Sequence, residues 1–331
     1  MSTVAAGAVS TRMGLDYFPV GLFGSTMGLT GLSAAWRLAH LRYGVTAEVA
    51  DVVGFAAVVA FVATSLAYAS KWKTAPQSVK AEFQHPIAGN MFGTIFVSLL
   101  LVPLVVAPVS LIVARIMWTL GAIGIVVFAW IIATRWLSTR QQLSNATPAW
   151  IIPVIGLLDM PLAVPALGLS GLHNVMVLGL AVGLFFATPL FTIIFQRQLF
   201  EPPMPDGLKP TLLILVAPPA VGFSSYVATT GQTDLFAQAL YWLTVFMLAI
   251  LLGQLRRLPL CCPFKVSWWA VSFPLAACAI AALRYAMQAP GWVTDTIAVV
   301  LLVFVTLVIG GLLVRTVIGI ARGELRALSA H

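Results

Sequence analysis

The side chains of this chain that could do chemistry are few, and they stand apart. Asp159 is the one acid near the middle of a long apolar run, with no histidine and no second acid beside it. General acid–base work needs titratable groups within hydrogen-bond reach of one another, and nucleophilic catalysis needs a nucleophile with its base. A solitary aspartate supplies neither; it can carry a proton or repel an anion. Cys261, Cys262 and Cys278 form no framework of spaced pairs, and the adjacent two have neither metal-site spacing nor a nearby His, so inert thiols are expected. His40, His85 and His173 fall singly at loop ends, His85 before Pro86 as a helix cap. No metal, no cofactor and no enzyme is indicated.

Other residues stand out for shape. Phe273 precedes Pro274, which puts an aromatic ring at a backbone break, where it either packs in a core or closes a narrow path. Ser224 and Ser225 follow the Pro218-Pro219 break and could donate hydroxyls to a passing ion, although serines so placed more often bond their own helix. Gly21, Gly24, Gly28 and Gly31 recur at helical spacing, and Gly24-x-x-x-Gly28 has the small-residue pattern of close helix contacts.

The elements that must position these residues follow from composition. Of 331 residues, 60% are hydrophobic and 8% charged, against roughly 45–50% and about 25% in a soluble domain. So few charges cannot cover a globular surface, and the solvent is mostly a lipid bilayer. The net charge of +8 raises nucleic acid as a partner, but no basic cluster is interleaved with aromatics, and that class is excluded. The first eleven residues are small and polar and do not read as a secretory signal.

A span needs about 20 apolar residues. Ten such runs are predicted, at 17–36, 49–70, 87–107, 110–134, 149–170, 174–196, 210–230, 235–255, 266–287 and 292–314. They are continuously apolar rather than alternating, which excludes a barrel. The expected fold is an all-α polytopic membrane protein, with a cytoplasmic segment 1–16, one transmembrane domain 17–319 and a cytoplasmic tail 320–331. With the N-terminus inside, fourteen basic residues fall on the inner side (Arg12, Arg257 and Arg326 among them) and only Arg37, Arg42 and Arg284 on the outer. The positive-inside rule then puts both termini in the cytoplasm.

Prolines divide the helices. Odd-numbered ones hold Pro19, Pro103, Pro153, Pro161, Pro165, Pro218, Pro219 and Pro274; even-numbered ones hold Pro189 alone. A proline removes a backbone hydrogen bond, which is tolerated at membrane depth inside a bundle or beside an aqueous cavity. Five helical hairpins are therefore expected, with five kinked inner helices around a central path and five straight outer ones. A local echo, Pro153-x-x-Gly156, Pro219-x-x-Gly222 and Pro274-x-x-Ala277, agrees. The lining candidates are Pro19, Gly21, Pro103, Pro153, Gly156, Pro218, Pro219, Gly222, Ser224 and Pro274. Asp159, in helix five, is expected to pair with Arg115 of helix four, whose long side chain reaches inward.

The stretch Tyr17-Phe18-Pro19-Val20-Gly21-Leu22-Phe23-Gly24 resembles the first helix of the tellurite-resistance/C4-dicarboxylate transporter family, which includes the plant slow anion channels. His85-Pro86, Leu215-Val216-Ala217-Pro218 and Trp268-Trp269-Ala270-Val271-Ser272-Phe273-Pro274 carry the likeness along the chain, from about Tyr17 to Gly319. The resemblance implies a homotrimer with a pore in every protomer, lined by the odd helices and plugged by Phe273 of helix nine. It also implies a bacterial inner-membrane protein lacking the plant regulatory tails. Where the family often has Asn in helix five, this chain has Leu158 beside Asp159. The expected function is a gated channel for small inorganic or organic anions; the alternative is a proton-coupled exporter of dicarboxylate, sulfite or tellurite-type oxyanions.

Overall fold

The computed structural model describes residues 15–256 and 264–329. Arg12, Arg257, Cys261 and Cys262 lie outside the described residues. Ten long helices are present among those described: 20–43, Glu48–Thr74, Ala88–Val106, Leu111–Ser138, Pro148–Leu167, His173–Phe200, Asp206–Thr230, Leu235–Leu255, Val266–Gln288 and Trp292–Ala321. They are numbered one to ten in chain order. All but helix one are long and apolar enough to cross a membrane by length and composition. Helix one is diluted by glycine, serine and threonine, and it lies against helices two, three, nine and ten.

Several helices run past their apolar stretch. Helix four continues to Ser138, where Arg135 in the last turn suits the carbonyl end of the dipole, and helix ten continues to Ala321. Helix one extends to Tyr43 and stops at Gly44, whose φ of 69° suits glycine in a C-terminal cap. The short helix Pro76–Gln84 was not foreseen; it starts on a proline, which needs no N–H there. Beyond helix ten, Leu325–Ser329 is helical, and Leu328 packs on Gly319.

Burial separates two layers. In helices five, seven and nine, 78% of the central window is buried, and in helix three 61%; helices two, four, six, eight and ten range from 22% to 39%. The outer layer exposes Phe55, Phe185 and Trp242, as a lipid-facing surface requires.

Every odd helix begins in the tighter 3-10 form and relaxes to α further in. The 3-10 segments are Val20–Leu22, Ala88–Phe92, Pro148–Ile151 with Gly156–Asp159, Asp206–Val216 and Val266–Val271. Prolines sit where an N–H is dispensable: Pro103, Pro153, Pro161, Pro218 and Pro219 open α segments, and Pro274 is in the first turn of another. They mark starts of α-helix more than kinks within it. Pro189 lies inside a continuous helix six.

Candidate functional site

Where the 3-10 segments converge they enclose a chamber of about 60 Å³, room for a few waters or one small anion. All five odd helices contribute to it. The lining recurs mostly at spacings of three, where each helix passes from the 3-10 into the α form. Helix one offers Gly21, Gly24 and Met27; helix three offers Met91, Thr94 and Val97. Helix five offers Ile152 with Ile155 and Gly156 with Asp159; helix seven offers Ile214 with Ala217. Helix nine supplies Ala270, Phe273 and Pro274.

The wall is almost wholly apolar. Thr94 donates to the Met91 carbonyl at 2.6 Å, and the Trp269 indole turns outward to Thr316 at 2.9 Å. Among the described residues, Asp159 is the only titratable side chain on the wall. It is buried, and its Oδ1 has no hydrogen-bond partner among the described residues.

The expected Arg115–Asp159 pair is not formed. Arg115 Nε donates to the carbonyl of Leu167 at 3.0 Å, and its guanidinium reaches that of Gly168 at 3.5 Å. These are last-turn carbonyls of helix five, which a cation satisfies well. The neighbouring Trp118 indole donates to Met160 O at 3.0 Å, in the interrupted middle of the same helix. Helix four thus repairs the broken backbone of helix five rather than neutralising its acid. Leu158, next to Asp159, faces outward onto Gly183 of helix six.

Phe273 is held by the contact between helices one and nine. Ser272 Oγ is shared between the carbonyls of Trp269 (2.7 Å) and Gly24 (3.1 Å). Gly28 leaves no room for a Cβ against Ser272, and a Cβ on Gly31 would meet Ala276 at 2.8 Å and the Phe273 ring at 3.6 Å. The glycine stripe of helix one is accordingly a packing surface, and it brings the backbone of helix nine close enough to set the ring at the chamber.

Of the residues singled out from sequence, Gly21, Gly156, Asp159, Phe273 and Pro274 line the chamber. Pro19 precedes the first 3-10 turn; Pro103, Pro153, Pro218 and Pro219 are buried in the scaffold. Gly222 faces Leu184 and Leu240 of the outer layer. Ser224 and Ser225 are buried off the chamber, and neither hydroxyl has a partner among the described residues, so the expected bond to their own helix is absent. Sequence reading missed Met27, Met91 and Thr94, for which the spacing of three was the available signal. His85 does cap: its Nδ1 accepts from the N–H of Ile87 (3.2 Å) and Ala88 (3.1 Å).

Known proteins resemble this chain along most of its length. The family model described as SLAC1, voltage-dependent anion channel, matches residues 17–317. The S-type anion channel SLAH3 of Arabidopsis thaliana is 30% identical over 314 residues, 91% of this chain and 48% of the plant protein. An uncharacterized transporter of Methanocaldococcus jannaschii is 24% identical over 277 residues, covering 76% of this chain and 80% of its own. The tellurite resistance protein TehA homolog of Haemophilus influenzae is 26% identical over 316 residues, 92% of each chain. The chain thus spans about half the length of the plant relative.

Proposed function

This chain belongs to the SLAC1 family of voltage-dependent anion channels, and from that premise we propose that it is a gated channel for small anions with one path inside each protomer. The observation that carries the reading is a chamber walled by five helices of a single chain, with the Phe273 ring on that wall. No second chain is needed to complete it, which supports a separate path in each subunit of a homotrimer. An aromatic ring in so narrow and apolar a passage blocks it sterically and by excluding water, and opening requires the ring to swing aside. Among the described residues no Lys or Arg stands on the chamber wall, which suits conduction, since that needs weak binding. The protein would sit in the inner membrane of a bacterium with both termini in the cytoplasm, following its basic residues. Planar-bilayer recording of the purified protein tests this: ohmic anion currents are expected, larger in Phe273→Ala. Wild-type and variant bilayers that both stay silent would overturn it.

Asp159 favours a second reading, proton-coupled export of a dicarboxylate, sulfite or tellurite-type oxyanion. A carboxyl facing the path with an unpartnered oxygen and no nearby cation is costly when charged and tolerated when protonated. Transport driven by a pH gradient, and lost in Asp159→Asn, would select this reading over the channel.

A further inference from the structure

A second cavity, of about 170 Å³, lies at the end of the bundle away from the chain termini. It is bounded by Leu38 of helix one, Phe223 of helix seven, Thr233 in the loop beyond it, and Arg284 and Gln288 of helix nine. Arg284 is eleven residues beyond Phe273. That is three turns of α-helix, about 16 Å further along the axis and about 20° from the same face. The cavity and the chamber therefore lie on one side of helix nine.

Arg284 differs from the other arginines at this end. Arg37 is paired with Asp51 at 2.8 Å, and Arg42 with Asp295 at 3.1 Å. Asp234, beside Thr233, accepts from the Tyr226 hydroxyl at 2.5 Å and from the N–H of Phe236 and Ala237. Arg284 is half-buried, its Nε is sealed from solvent with no hydrogen-bond partner, and no carboxylate pairs with it among the described residues. An Nε–H removed from water in this way needs an acceptor, and the rest of the guanidinium stays open to the cavity for one.

We infer that this cavity is an anion-binding station at the outer mouth, built to take a planar oxyanion of the carboxylate or nitrate class. The guanidinium presents parallel donors in a fixed plane that match two oxygens of such an ion; a spherical halide uses only one direction at a time. The Thr233 hydroxyl and the Gln288 amide add neutral donors on the same cavity. A single fixed cation there raises local anion concentration without placing a tight site in the chamber. The inference rests on the anion-channel reading for its purpose, but the site itself is testable without current.

The test is thermal melting of the purified full chain in sodium nitrate and in sodium chloride at equal ionic strength, with Arg284→Gln, Arg284→Lys and Gln288→Ala alongside. Nitrate at 100 mM is expected to raise the wild-type melting temperature by about 2 °C over chloride. Arg284→Gln abolishes the difference, Arg284→Lys keeps part of it, and Gln288→Ala, at an exposed position, folds normally and weakens it. Equal melting of the wild type in both salts, or an undiminished nitrate shift in Arg284→Gln, overturns the site. Should Arg284→Gln not fold, an undiminished shift in both Arg284→Lys and Gln288→Ala overturns it instead. Bilayer recordings separate the two ideas: silent wild-type bilayers with an intact nitrate shift sink the channel and leave the station, and robust currents without the shift do the reverse.

Discussion

Gly28 of helix one and Ser272 of helix nine touch so closely that the glycine has no space for a side chain, while the serine hydroxyl reaches back to Gly24 O at 3.1 Å. Phe273 follows directly in sequence, so this contact fixes where the ring stands. Gly28→Ala should cost about 1–3 kcal/mol through overpacking and displace helix nine. Gly21→Ala, with nothing within 4 Å of its Cβ position, should melt like the wild type. Detergent melting curves of the two variants make the comparison. Equal stability would mean that the interface yields without strain.

Truncating Phe273 leaves the backbone contact intact and removes the ring from the chamber wall. Phe273→Ala is expected to raise anion conductance several-fold in bilayers, and Phe273→Leu to give an intermediate value. Unchanged currents from well-expressed Phe273→Ala would exclude a gate at this ring.

Arg115 and Asp159 act separately. Arg115→Ala should destabilise helix five by removing donors from the Leu167 and Gly168 carbonyls, about 1–3 kcal/mol for charge-assisted bonds. Exchanging the two charges should restore nothing. Recovery of stability or flux in the exchanged variant would revive the ion pair.

Lys71, Glu82 and Tyr68 meet at the termini end of the bundle. Lys71 Nζ lies 2.7 Å from Glu82 Oε2 and 2.8 Å from Phe18 O; Tyr68 donates to the same carboxylate, and Glu82 Oε1 accepts from Val20 N–H at 2.8 Å. That carboxylate serves the first 3-10 turn of helix one. Glu82→Leu leaves the lysine buried without its counter-ion and should cost about 3–5 kcal/mol. Tyr68→Phe should cost far less. A melting temperature unchanged in Glu82→Leu would contradict the network.

Asp234 caps helix eight from outside the membrane-spanning segments. The Tyr226 hydroxyl, then the N–H of Ala237 and of Phe236, hold its carboxyl below the usual carboxylate range. A depressed value means stability that is present above the ordinary carboxylate pKa and lost as pH falls through the folded one. Asp234→Ala should therefore lower the melting temperature at pH 7, and the gap should close as pH falls below the ordinary carboxylate range. A gap independent of pH would point to packing instead.

Much of this arrangement was legible in the sequence, because lipid imposes long apolar runs and proline marks where backbone donors are absent. The long apolar helices and the alternation of inner and outer ones follow from those two facts. The 3-10 segments were not legible, since no local propensity separates them from α-helix; they depend on neighbours such as Thr94, whose hydroxyl approaches Val20 O at 3.3 Å. The partner of Arg115 was misread because depth along a helix says nothing about which carbonyls of the next helix lie within reach. Arg284 looked like one of three outer loop cations, and only packing distinguishes it from Arg37 and Arg42.

The 3-10 segments of the inner helices limit how this chain can change length. At three residues per turn, inserting or deleting one residue in a 3-10 segment turns everything before it by about 120°. Within Asp206–Val216 or Val266–Val271, that turns Ile214, or Trp269 and Ala270, away from the chamber. A change of three residues keeps the facing but shifts the segment by about 6 Å along the axis, past the chamber. Substitution can retune this wall residue by residue; its length is fixed.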